Sequence, residues 1–162
     1  MRRALAISFA ILFMSIGCRA TVETGIPKET RTTNSSYHKS VFINDMRLEI
    51  ATIKKEFPNS EIVPIRLSVT NTGSAGQTLS FASGQKYDFL VAEKSGAEVW
   101  RWSAGQMFTQ EIRIMQIKPG ETYNYFGRVP AGYLKAGEYT VSGWLTADEL
   151  LGEKLSLVIS IE

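Results

Sequence analysis

Chemically versatile residues are scarce in this chain: its 162 residues include one cysteine, one histidine and five prolines. A lone cysteine excludes a disulfide framework within the chain, and one cysteine with one histidine cannot assemble an ordinary zinc site. The histidine, His38, sits in a polar stretch with no evident partner, so a hydrolytic triad has no base. No glycine-rich loop leads into a helix to hold phosphate, and no carboxylate pair sits in a pocket-forming motif. These absences point away from an enzyme, with serine–lysine chemistry alone left open, and no metal or cofactor is expected. Charge of one sign is also lacking. Eighteen Lys+Arg against sixteen Asp+Glu give +2, and two of those bases, Arg2 and Arg3, head a segment that reads as removable. The balanced remainder lacks the clustered cations that displace counterions from nucleic acid, so no nucleic-acid partner is expected.

The chain has one sustained apolar run, residues 4–16, interrupted only by Ser8 and Ser15. A membrane-crossing helix needs roughly 20 apolar residues. A shorter run behind two arginines has the form of an export signal. It closes on Ser15-Ile16-Gly17-Cys18, which resembles a bacterial lipobox, with Ser15 where that pattern usually has leucine. The resemblance implies cleavage before Cys18 and acylation of its thiol. Each buried methylene then contributes about 0.8 kcal/mol, and two or three acyl chains hold a protein at a membrane without a span. Arg19 stands where the lipoprotein sorting pattern would place an aspartate for inner-membrane retention. The expected location is therefore the cell membrane by lipid anchor, and in a two-membrane cell the outer membrane, facing the periplasm.

Three segments are expected: a signal peptide over 1–17, a lipidated flexible tether over 18–40, and a folded domain over 41–162. The tether is rich in Thr, Ser and Asn, with Gly25 and Pro27; about 20 such residues reach on the order of 25 Å. Beyond it, apolar positions alternate in short stretches broken by Gly, Pro, Asn and Ser, which is the period of strands. Met46, Leu48 and Ile50 form one set, and Val63, Ile65, Leu67 and Val69 the cleanest. Pro64 cannot donate to a ladder and belongs near a strand start or on an edge. Further strands are expected over 77–81, 87–93, 97–102, 111–117, 122–129, 138–146 and 154–161, nine at most. The fold class is all-β, an immunoglobulin-like antiparallel sandwich, with a barrel as the alternative.

The most distinctive stretch is 81–108. Ser95-Gly96 reads as a two-residue hairpin turn. That register sets Val91 opposite Trp100 and Phe89 opposite Trp102, on the same side as Tyr87, with Asp88, Leu90, Ala92, Val99 and Arg101 on the other. Two tryptophans here each bury on the order of 200 Å2 as part of the core; the alternative is that one is a partly exposed recognition anchor. Asp88 and Arg101 are placed to form an ion pair. Asp88 has no catalytic partner nearby.

Ser83-Gly84-Gln85-x-Tyr87-Asp88-Phe89, the run Val99-Trp100-Arg101-Trp102-Ser103, Phe108, Pro119-Gly120-Glu121 and Gly137-Glu138-Tyr139 together resemble the BsuPI intracellular proteinase inhibitor domain, over residues 42–146. The resemblance implies a β-sandwich without a cofactor and inhibition of a subtilisin-type serine protease. An export signal departs from the intracellular setting of that activity, so the target is expected to be a subtilisin-like or other envelope protease. The candidate contact loops are 71–76, 83–86 and 103–107, and in them Gly73, Ser74, Lys86, Gly105 and Gln106. The alternative is a non-inhibitory envelope adaptor that binds another protein or a glycan through an aromatic patch of Tyr123, Tyr125, Phe126 and Tyr133.

Overall fold

Alternation of apolar and polar side chains builds the sheets seen in the computed structural model, which describes residues 36–162. Cys18, the signal segment and the expected tether up to residue 35 lie outside the described residues. Strands β1 (Tyr37–Ile43), β2 (Met46–Thr52), β4 (Val63–Asn71) and β9 (Thr122–Val129) form one antiparallel sheet in the order β1-β2-β4-β9. Val63, Ile65, Leu67 and Val69 of β4 are all buried, while Arg66 between them reaches outward to Glu49 at 2.7 Å. Pro64 is the second residue of β4 and lies beyond the end of the β2 ladder, so its missing donor costs no bond on that side.

A second sheet runs β3 (Glu56–Phe57), β11 (Leu155–Ile161), β10 (Gly137–Leu145), β6 (Tyr87–Glu93), β7 (Glu98–Arg101), antiparallel except for β3 beside β11. A third, small sheet pairs β5 (Gln77–Phe81) with β8 (Arg113–Ile117), and Phe81 bridges it to Ala147. All three contribute to one buried cluster that includes Leu48, Leu67, Leu79, Phe89, Ile117, Val141 and Ile159. Among the described residues every sheet keeps open edges, the arrangement of a sandwich and not of a closed barrel.

Phe89 shows how closely the layers approach. A Cβ on Gly127 of β9 would lie 2.7 Å from its Cδ2, and one on Gly143, its register partner in β10, 3.0 Å from its Cδ1. The ring occupies a slot between two residues that have no side chain. Burying it contributes roughly 1.5–3 kcal/mol.

Three details differ from the expectations. β1 starts at Tyr37, inside the segment expected as tether: Tyr37, Val41 and Ile43 pack on the core, while His38, Lys39 and Ser40 are exposed and resemble linker composition. β3, two residues long, is too short to show a period. The β6–β7 turn has three residues, not two. Gly96 N–H donates to Glu93 O at 2.8 Å and Glu93 N–H to Ala97 O at 2.9 Å, with Gly96 at φ 88°, the arrangement of a three-residue hairpin loop with a left-handed glycine. Val99 then bulges out of the ladder, which restores Val91 opposite Trp100. Val99 packs against the edge of the core rather than standing on the Asp88 side.

Candidate functional site

Asp88, on β6, is 2% exposed and accepts four hydrogen bonds. Its Oδ1 takes the N–H of Phe89 at 2.9 Å and of Ser103 at 3.1 Å, and its Oδ2 takes the Ser103 hydroxyl at 2.7 Å and Arg101 Nη1 at 3.3 Å. Four donors fill the accepting capacity of a carboxylate. The residue therefore ties β6 to the chain just after β7 and has no lone pair left for chemistry. Arg101 also donates from Nε and Nη2 to Glu98, at 2.9 and 2.7 Å. That bidentate bond, helped by the charge of Asp88, raises the Arg101 pKa further, and in return the Arg101 hydrogen bond holds the Glu98 carboxyl below its usual range. Arg101 stands 5.6 Å from the Trp144 ring centroid and Lys154 Nζ 4.5 Å from it, both within cation–π range.

On the inner side of the same strands the aromatic rings form a row. Tyr87 lies 4.1 Å from Trp102 and 4.7 Å from Tyr125, centroid to centroid, and Trp102 lies 5.9 Å from Phe108. Trp100 and Trp102 are half-buried at the margin of the core, not fully inside it. Burial, then the neighbouring Tyr123 and Tyr87, pushes the Tyr125 hydroxyl up to about 12. Burial, then Asp88, raises Tyr87 as well.

The 83–86 loop is bound to Tyr87, Thr109 and Thr146. Ser83 Oγ accepts the Gln85 N–H at 3.2 Å, Gln85 Nε2 donates to Tyr87 O at 3.3 Å, and Gln85 O accepts the Thr146 hydroxyl at 2.6 Å. Lys86 O accepts the Thr146 N–H at 3.0 Å. Gly84 N–H donates to Thr109 O at 2.8 Å, and a Cβ on Gly84 would lie 2.6 Å from Thr109 Oγ1. A side chain on Gly84 would force the Thr109 hydroxyl to move and crowd the Thr109 main chain. The loop after β7 is thus clamped at Ser103 and at Thr109, and Gln106 Nε2 donates to Trp102 O at 2.8 Å between the clamps. At its crest Gly105 has φ 77° and Met107 is 99% exposed.

The structure therefore brings together Ser83, Gly84, Gln85, Lys86, Tyr87, Asp88, Phe89, Arg101, Trp102, Ser103, Gly105 and Gln106, as one braced loop and its support. Trp100 is beside them on β7, an edge strand paired on one side only. A groove of about 340 Å3 runs along it, lined by Glu98, Val99, Trp100, Arg101, Ala104 and Tyr133.

Gly73 and Ser74 do not join this cluster. Their loop is held by Asn71, which is wholly buried and donates to Ala75 O at 2.7 Å and Ile117 O at 2.9 Å while accepting the Gly73 N–H at 2.9 Å. Thr72 N–H adds a bond to Asp45 O at 2.7 Å. β5 leads from this loop to Ser83, on the order of 15 Å of strand. The aromatic patch is not formed either: Tyr125 faces the core row, Phe126 is exposed on the opposite side of β9, and Tyr133 stands by β7. Two further residues of the site, Trp144 and Thr109, lie outside the motifs legible in the sequence. Trp144 carried a signal, because alternation in β10 places it on the outward parity, unusual for so large an apolar side chain. Thr109 carried none.

Residues 50–150, which contain the braced loop and its support, match the family model described as BsuPI, Intracellular proteinase inhibitor. The chain belongs to this family. The match starts within β2 and stops before β11, so the BsuPI domain here is completed by β1 and β11 outside it. No curated protein matches the sequence. Among solved structures, the sporulation control protein Spo0M of Bacillus subtilis aligns at TM-score 0.47 and 16% identity, over 74% of this chain and 50% of that one. The CARDB domain of a Pyrococcus furiosus protein aligns at TM-score 0.41 and 15% identity, over 72% and 94%. A β-glucosidase from Erythrobacter marinus aligns at TM-score 0.41 and 9% identity, and this chain spans 16% of its length. Among the described residues of the BsuPI domain, no group of three or more His, Cys, Asp or Glu side chains is placed to hold a metal ion.

Proposed function

We propose that this BsuPI domain binds and inhibits a protease of the cell envelope while held at a membrane by acylated Cys18. The observation that carries the reading is the double clamp, Ser103 on Asp88 and Thr109 on Gly84, that leaves residues 105–107 standing in solvent. Protease clefts take peptide main chain in extended form by strand addition. A loop already fixed at both ends loses little conformational freedom on entering such a cleft, which raises affinity. The lipid anchor rests on the lipobox-like Ser15-Ile16-Gly17-Cys18.

Sedimentation tests both halves. Membranes carrying the full chain are expected to bind a purified subtilisin-type serine protease, and Cys18→Ala to move the chain to the soluble fraction. A Cys18→Ala protein that still sediments contradicts the anchor, and membranes that bind no protease contradict the inhibitor. The groove beside Trp100 and Tyr133 favours a second reading, an adaptor for another envelope protein or a glycan. Under it, such a ligand is captured and protease is not.

A further inference from the structure

We infer that Met107 is the side chain this loop inserts into a protease's specificity pocket, and that the pocket is therefore a hydrophobic slot. The inference rests on the inhibitor reading above and adds which residue is read and by what kind of pocket.

Residues 106–112 belong to no helix, strand or turn. The two neighbours of Met107 are each held to the protein: exposed Gln106 bonds Trp102 O at 2.8 Å, and the half-buried Phe108 ring lies 5.9 Å from that of Trp102. The Met107 side chain is 99% exposed. Neither the N–H nor the C=O of Met107 bonds any described residue, so both are free for the main-chain bonds by which a protease holds a peptide. A single exposed apolar side chain is ordinary on a protein surface. What sets this one apart is its place at the crest of a segment tied at Ser103, Gln106, Phe108 and Thr109. A long unbranched thioether suits a hydrophobic slot and is excluded from one lined by a carboxylate, which selects a cation.

The test is the inhibition constant of the full chain, purified in detergent, against a subtilisin-type and a trypsin-type protease. Met107→Ala is expected to weaken inhibition of the subtilisin-type enzyme by about thirtyfold or more. Met107→Lys is expected to lose it similarly and to gain inhibition of the trypsin-type enzyme. Thr78→Ala, at an exposed position of β5, is expected to change neither, and thermal melting of all three should match the unmodified chain. Inhibition that is present in the unmodified chain but indifferent to both Met107 substitutions overturns this inference and leaves the inhibitor reading standing. No inhibition by the unmodified chain overturns both.

Discussion

Ser103 gives Asp88 both its hydroxyl, at 2.7 Å, and its main-chain N–H, at 3.1 Å. A buried carboxylate so held fixes where the 103–109 loop leaves the sandwich. Asp88→Asn keeps the shape but turns an NH2 group toward donors and leaves Arg101 without that charge. The expected loss is roughly 3 kcal/mol of folding stability, with weakened protease binding in the molecules that still fold. Urea denaturation of the full chain checks this, and an unchanged midpoint contradicts it.

Gly127 and Phe89 offer a test of packing away from the loop. The 2.7 Å approach of a Cβ to the ring means that Gly127→Ala must push Phe89 against Gly143. Overpacking of this kind costs about 1–3 kcal/mol. Gly76 has open space around it, and Gly76→Ala is expected to be neutral or slightly stabilising. A calorimetric Tm that falls equally for both would count against the slot.

Tyr125 predicts alkaline lability. Its hydroxyl pKa, about 12 in the folded domain, stands above the usual 10.0. The unfolded state therefore releases its proton first, and this group's contribution to stability is full below pH 10 and lost as the pH rises toward 12. After allowance for screening of a half-buried group, that contribution is roughly 1–2 kcal/mol. Tyr125→Phe should flatten the decline of stability over that window, as read by denaturant midpoints at successive pH values. An equally steep decline in the variant rules Tyr125 out as its cause.

Asn71 separates the two loops. Asn71→Ala leaves Ala75 O, Ile117 O and the Gly73 N–H without their partner, a loss of roughly 2–3 kcal/mol. Protease binding is expected to persist in denaturant-free buffer where the variant is folded, because the 71–76 loop is tied to Asn71 and Asp45 and not to Asp88. Loss of binding in a folded Asn71→Ala protein would move the site to 71–76.

Period-two alternation made β5, β6 and β9 legible to the residue, because each has one face in the core. β1 was not, since its edge position leaves His38, Lys39 and Ser40 in water and erases the pattern. The sequence register pairs Val91 with Trp100, as the structure does, because two differences compensate, a turn one residue longer and a bulge at Val99. The Asp88–Arg101 pair was visible in the register, but the burial of Asp88 was not, because Ser103, which covers it, comes from beyond the strand. Gly84 was visible as a motif residue. Its reason, the passage of Thr109 against it, is a contact 25 positions away in sequence that no local pattern encodes.

Hydrogen exchange of the full chain, alone and with a subtilisin-type protease whose nucleophilic serine has been replaced, tests most directly whether the braced loop is the protease-binding surface. The amides of Gln106, Met107 and Phe108 are predicted to slow at least about tenfold in the complex, with 72–76 unchanged. Protection confined to 72–76 or to the β7 edge, or no protection anywhere, would contradict it.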